Sequence, residues 1–469
     1  MENIATGGCS KSQYRFQILM FMNVTLFKKI TLSLLFLAAG TALFAQNTQV
    51  LSLDSAITLS LQNSNQLKGS RARIEEATAA TREATERQLP DVSVSGSYLR
   101  VNSPTFDLKL KQPGSSGGID STGSSAKVSQ AVYGIVNASL PLYSGLRIKY
   151  GIESSKYLEK AASLDADNDR EEVIMNTIDA FNNLYKAKAQ VRLINESLEQ
   201  ARQRVKDFTN LEKNGLLARN DLLKAQLQAS NIELSLVDAE NNAKLSNINM
   251  NLMLGLPDST NLMPDSSSLQ RGGSLMNAED YLQLAVQNRK DYEALGYRKQ
   301  AASVGIKAAR GEKYPSVALT GGYIAADIPH VLALYNAVNI GIGLNYSLSS
   351  LWKTDAKVQQ AKAREKELEA SQDQLSDAIK LQVGKAYLNY ISSVKKIDVY
   401  TVAIEQAEEN YKIVKNKFDN SLATTTDLLE AEVAQLQARL NYSFAKSDAA
   451  VAYKRLLQAT GTLNTTTNK

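Results

Sequence analysis

The chain has 469 residues with a formal net charge of +5. Four basic residues fall before Gln46 against the single acid Glu2, so the remainder sits near about +2, which gives no footing for nucleic-acid binding. The one cysteine, Cys9, lies in that same leading stretch, which leaves neither disulfides nor thiolate metal sites to the rest of the chain.

In chain order, the first element is a secretory signal peptide over residues 1–45. Lys28 and Lys29 precede an apolar run from Ile30 to Phe44, closed by Ala45. The run is too short for a good spanning helix, and the true start is expected near Met22. The next unit, 46–255, opens with short helices and continues through strands at about 91–110 and 130–142. A long helical hairpin then covers 146–255. A linker follows at 256–276. The second unit, 277–463, again brings helices, strands at about 316–326 and 338–348, and a hairpin over 351–461; residues 464–469 form a tail.

The two units are one design written twice. Asn214-Gly215-Leu216 stands before Asp221-Leu222-Leu223 as Asn420-Ser421-Leu422 stands before Asp427-Leu428-Leu429, at an offset of 206. Gln62-Asn63 matches Gln287-Asn288, and Pro90 matches Pro315, at an offset of 225. The first copy therefore carries about 19 extra residues between Tyr98 and Leu140. Pro113 to Gly118 gives that insertion a flexible loop composition, and the segment near 103–127 is expected to face outside the cell.

Two segments without proline, from Leu146 to Lys213 and from Leu351 to Asp419, are rich in Ala, Leu, Glu, Lys, Gln and Asn. Apolar residues recur in them at steps of three and four, as in Ile174, Ile178, Phe181 and Tyr185, or Ile379, Val383, Tyr387 and Tyr390. Roughly 68 residues make a helix about 100 Å long, so the body is elongated. Gly215 suits a left-handed helix terminus. Asp221 and Asp427 suit caps near the next helix starts, with Glu430 three residues beyond Asp427 as a capping partner.

From Val338 the period changes to two. Val338, Ile340, Ile342, Leu344, Tyr346 and Leu348 share one face, and Asn339, Gly341, Gly343, Asn345 and Ser347 the other. This alternation suits an outer-membrane barrel, and the sequence offers no short amphipathic helix to cover such a sheet instead. Four strands cannot close a barrel, which needs about eight, so an oligomer is implied; three chains give twelve strands.

With these features in place the chain resembles the TolC-like outer membrane efflux proteins. Leu53-Asp54-Ser55-Ala56 with Gln62-Asn63 resembles the family's opening helix. Leu89-Pro90 and Pro141-Leu142-Tyr143-Ser144-Gly145-Leu146-Arg147 resemble its helix-to-strand and strand-to-helix junctions. The second such junction, Ser347 to Ser350, lacks the proline and glycine. The resemblance covers residues 51–463. It implies a mainly α fold with a membrane β-barrel portion: a homotrimer whose twelve-stranded barrel joins a periplasmic α-helical barrel. It also implies an outer-membrane location reaching into the periplasm, no cofactor, and two partners, a periplasmic adaptor and an inner-membrane pump of RND or ABC type. Efflux and type I secretion are both open.

By the same resemblance Asp427 and Glu430 line a periplasmic constriction as an acidic, cation-favouring ring. Gly215, Leu216, Asp221, Ser421 and Leu422 sit at adaptor-facing tips. Turn geometry alone also accounts for the tip residues, and capping for the acids, Asp221 above all because Lys224 follows it. Tyr346 and Trp352 suit a membrane interface, with local packing as the competing role. His330 follows Pro329 in a strand-connecting loop and has no partner suited to a metal or a base. No phosphate loop, nucleophile elbow or metal-ligand cluster is present, so no catalytic residue is assigned. A periplasmic coiled-coil scaffold without a pore remains the other function class; it has no use for the apolar strand face.

Overall fold

The computed structural model describes residues 48–102, 129–265, 275–329 and 332–463. The signal peptide, the whole segment 103–127 of the inserted loop, His330, part of the 256–276 linker and the tail lie outside the described residues.

A short strand β1 (Thr48–Leu51) leads to helices α1 (Leu53–Asn63) and α2 (Asn65–Glu86), then strands β2 (Asp91–Arg100) and β3 (Gln130–Tyr143). Helix α3 (Arg147–Lys213) runs out and α4 (Arg219–Leu254) returns. After β4 (Asn261–Pro264) the succession starts again with α5 (Ala278–Asn288), α6 (Lys290–Gly311), β5 (Ser316–Ile328) and β6 (Leu332–Asn345). Helix α7 (Ser350–Asp419) and its return α8 (Thr425–Ala459) complete it.

Local chemistry sets these boundaries. Ser52 and Ser64 cap α1 and α2 by accepting from the Ser55 and Leu67 amides. All four helices of the hairpins end alike, with a left-handed residue at Gly215, Gly255, Ser421 and Gly461. The amide one residue later reaches back five positions, from Leu216 to the Leu211 carbonyl and from Leu422 to Lys417, both at 2.8 Å. With 67 and 70 residues, α3 and α7 are each about 100 Å long.

Two equivalent cores hold the short helices. Leu53, Ala56 and Ile57 of α1 pack on Ile174, Ile178, Phe181 and Leu184 of α3 and on Leu254 of α4. Tyr281 and Ala285 of α5 pack on Ile379, Val383 and Tyr390 of α7 and Leu456 of α8. The short helices expected at the start of each unit are present, and they pack on the helical body and leave the sheet uncovered. The linker also supplies a strand that periodicity does not signal: β4 pairs in parallel with β1.

The main sheet is antiparallel in the order β2-β3-β5-β6, and β2 and β6 are not joined to each other. Strand bounds need correction. The second strand of the second unit spans 332–345 instead of 338–348, because Leu332, Ala333 and Leu334 continue the ladder with β5 past an irregularity between Ile324 and Ala326. At its other end pairing stops at Asn345, opposite Ser316. Strand β2 is assigned to Arg100, with the Val101 amide still donating to the Ser129 carbonyl at 3.0 Å; the expected continuation over 103–110 lies outside the described residues.

Candidate functional site: a strand wall and paired hairpin tips

Two surfaces carry the functional chemistry, one at each end of the long helices. The first is the sheet. Register places Val94, Val136, Tyr323 and Val338 in one cross-strand row, since directly opposed residues share a face. Leu140, Leu319 and Ile342 form another row. The result is a continuous apolar face over four strands. On β6 it stands open, with Val338 77% and Ile340 81% exposed. The opposite face carries Ser93, Asn137, Gly322 and Asn339 in one row and Ser139, Thr320 and Gly341 in another. An open apolar sheet face opposite a small, polar one is the pattern of a lipid-facing wall. Among the described residues no helix is long and apolar enough to cross a membrane.

At the inner end of the sheet lie Tyr346, just past β6, and Trp352, in the first turn of α7. Both are exposed, as are Leu348 and Leu351 beside them in sequence and Tyr314 just before β5.

The second surface is formed by the hairpin tips. Phe208, Leu222, Ala225 and Leu428 are buried together, and Phe208 stacks on Phe418 with ring centroids 5.4 Å apart. This cluster joins α3, α4, α7 and α8, so the two hairpins end side by side. Gly215 takes φ of 71° and Ser421 takes 60°. The next residues, Leu216 and Leu422, stand out from the turns at 74% and 78% exposure.

The acidic residues differ between the two tips. In the second, Thr424 caps α8 and Asp427 is its reciprocal partner. One Asp427 carboxylate oxygen accepts from both the Thr424 amide and the Thr424 hydroxyl at 2.8 Å. These two hydrogen bonds hold the Asp427 carboxyl below the usual carboxylate range. The capping pair is therefore Thr424 with Asp427, and the pairing of Asp427 with Glu430 expected from sequence is not the cap. Glu430 is exposed one turn along, on the same side of α8 as Asp427.

In the first tip, Ala218 occupies the cap position and offers no side-chain acceptor. Asp221 is thus not a side-chain cap either; it lies in the first turn and takes Lys224 as its partner at 3.4 Å. Lys224 also donates to the Thr426 hydroxyl at 3.3 Å, tying the first tip to the second.

Behind the tips lies a clasp that sequence reading missed. Arg204 of α3 pairs with Glu432 of α8 and donates to the Tyr411 hydroxyl of α7 at 3.1 Å. Glu432 is only 3% exposed at its side chain, and its second oxygen has no hydrogen-bond partner among the described residues. Burial pushes its carboxyl above the usual range, against the opposing pull of Arg204. The available signal was a glutamate inside the buried stripe Leu428, Ala431, Gln435 of α8. A hydrophobic-period search passes over such a residue.

A long helical palisade with a lipid-type strand wall at one end and closed hairpin tips at the other defines a class: outer-membrane channel subunits. The sequence profile described as "Outer membrane efflux protein" matches residues 56–256 and 281–462, and the chain belongs to that family. It is an outer-membrane protein, an exit duct for an efflux or secretion system. Among curated relatives, the outer membrane efflux protein BepC of Brucella suis is 21% identical over 447 residues, covering 94% of this chain and 92% of its own. The alkaline protease secretion protein AprF of Pseudomonas aeruginosa is 23% identical over 302 residues, 63% of this chain and 62% of its own. The outer-membrane channel OprN superposes with a TM-score of 0.70 at 18% identity, covering 87% of this chain and 89% of that one. CusC gives 0.72 at 17% identity, covering 87% and 92%.

Proposed function

We propose that three copies of the chain close into a twelve-stranded barrel continued by a helical tunnel, through which cargo passes without any energy input from the duct itself. The observation that carries this reading is the pair of free edges on an otherwise lipid-ready sheet. Strands β2 and β6 each pair on one side only within the described chain. In a bilayer each unpaired backbone group costs several kcal/mol, so the edges must find partners. Edge β6 of one copy meets edge β2 of the next, and the ring closes with twelve strands. On the apolar face, Val338 to Tyr346 spans about 20 Å once strand tilt is included, close to the height of a barrel's lipid band. Tyr346 and Trp352 then mark the periplasmic interface.

The helices support the same assembly. Leu227, Leu234, Leu245 and Leu252 leave an apolar seam open along α4, and Leu381, Leu388, Val399 and Val402 leave one along α7. Two such seams on opposite hairpins, with main steps of seven and eleven residues that keep to one helix face, suit pairing between neighbouring copies. The repeated element succession and the two equivalent cores support the twofold internal repeat, with units at 46–255 and 277–463 joined by the linker.

At the tips, threefold symmetry would gather three Asp427 and three Glu430 around one axis as a cation-favouring constriction. The Thr424 hydrogen bonds favour the ionised form of Asp427, as such a ring would require. Gly215, Leu216, Ser421 and Leu422 form the adaptor-contact surface, with the protruding leucines as its apolar knobs. Asp221 flanks this surface, already bound to Lys224. An inner-membrane pump reached through the adaptor supplies the energy. Mass measurement of the purified protein in detergent tests the assembly: the expected species is a trimer, and a stable monomer or dimer sinks the reading.

A further inference from the structure

One cavity outside these surfaces has a distinct chemical character. A groove of about 600 Å³ runs over α6, which packs between α3 and α7. Its floor is made of small residues, Ala301, Ala302 and Gly305 on α6, and its apolar walls include Leu158 and Leu368. Gly305 is not there to let helices approach, because a Cβ at that position would meet nothing within 4 Å. The missing side chain simply leaves the groove open.

The polar lining is one-signed. Arg298, Lys357 and Arg364 line the groove, and no carboxylate does. Arg298 is oriented by Asp165, and Lys357 by Glu312 at 2.6 Å, both from outside the lining. Arg364 has no ion-pair partner among the described residues. A guanidinium with five fixed donors beside apolar walls suits a carboxylate or sulfonate on an apolar body.

We infer that this groove is a binding site for small amphipathic anions, with Arg364 taking the anionic group and the α6 floor taking the apolar body. The inference rests on the duct reading for its setting, the helical body next to the strand wall.

The chain's single tryptophan gives a direct readout. Trp352 lies five residues before Lys357 on α7, a helical rise of about 7.5 Å, well inside energy-transfer range of a dansyl group. Purified full-length trimer is titrated with dansylglycine, an anion, and with neutral dansylamide, and tryptophan-sensitised dansyl emission is recorded. Dansylglycine is expected to saturate at one site per chain and to bind about tenfold or more tightly than dansylamide. Arg364→Glu is expected to weaken dansylglycine by about tenfold or more while leaving dansylamide little changed. Gly305→Phe, which fills open space, is expected to abolish both signals. Equal titrations in wild type and both variants, or equal affinity for the two probes, would overturn the site. Single-channel conductance of the same preparations separates the two readings. Conducting trimers without probe binding leave the duct intact and reject the groove, whereas absent conductance in wild type rejects the duct.

Discussion

Replacing Arg204 by alanine strands a buried carboxylate and should loosen the hairpin tips. Glu432 is 3% exposed and Arg204 10% exposed at their side chains, so little solvent is at hand to replace the lost partner. Breaking such a pair by removing one member costs about 3–5 kcal/mol. The loss also unties the Tyr411 hydroxyl and the α3–α7–α8 junction that the clasp spans. At about 1.4 kcal/mol per tenfold, amide exchange through local opening should accelerate by two to three orders of magnitude, roughly. Hydrogen–deuterium exchange read on peptides covering residues 200–215 and 405–440 measures it, with the barrel strands as an internal reference.

Removing both charges is the decisive companion. Arg204→Met with Glu432→Met leaves no buried ion and similar bulk, so exchange should return to within about tenfold of wild type. The pH dependence follows from the sign of the Glu432 shift. A carboxyl raised in the folded state adds stability that is complete below its unfolded value and fades as pH rises through the folded one. Arg204→Ala removes the only opposing pull, so its penalty should be largest at neutral pH and shrink on acidification toward the usual glutamate range. If the double variant exchanges as fast as Arg204→Ala, or the penalty is flat with pH, the stranded-charge account is wrong.

Four further outcomes are expected. Asp427→Asn with Glu430→Gln should change single-channel conductance and lower cation selectivity in planar bilayers with trimers intact, while Asp221→Asn, already offset by Lys224, should change them much less. Because the Asp427 carboxyl is depressed by its Thr424 bonds, its capping contribution holds above the unfolded aspartate value and is lost as pH falls through the folded one, so acid should fray the start of α8; unchanged exchange there at low pH would count against it. Ser421→Gly relieves a left-handed serine and should stabilise the second tip by about 1 kcal/mol, read as slower exchange across 417–424; Gly215→Ala should cost the first tip a similar amount. Ile340→Lys on the apolar face should cost about 2–4 kcal/mol of barrel stability and reduce heat-resistant trimer on gels, whereas Gly341→Lys on the opposite face should leave the trimer near wild-type levels.

The helices were legible because their signals are long and local. The proline-free stretches and the left-handed terminus at Gly215 fixed both ends of α3 and the far end of α4 to within a residue, but not the start of α4. The strands were legible in kind but not in extent: alternation marks Val338 to Leu344, but Leu332 to Leu334 join the ladder by pairing with Ile328 to Ala326 across the turn, past an irregularity that breaks the period. The caps were misassigned by one turn. Asp427 invited a helix start at itself, and only Thr424, three residues earlier, reveals the reciprocal pair. The Arg204–Glu432 clasp was illegible because its partners are separated by 228 positions and each looks, alone, like a solvated charge.

The two free sheet edges have a genetic consequence. In the proposed ring each subunit would offer a different edge to each neighbour, so the contact would be head-to-tail, and every ring would need both edges of every member. A subunit with proline at the outward amides of β6 still accepts a neighbour at β2 but offers nothing at its other side. Such a subunit ends the ring instead of merely being absent from it. Mixed in equal amounts with wild type, it should leave only about one-eighth of trimers whole, so an allele that damages one strand edge should be dominant, and a null allele recessive.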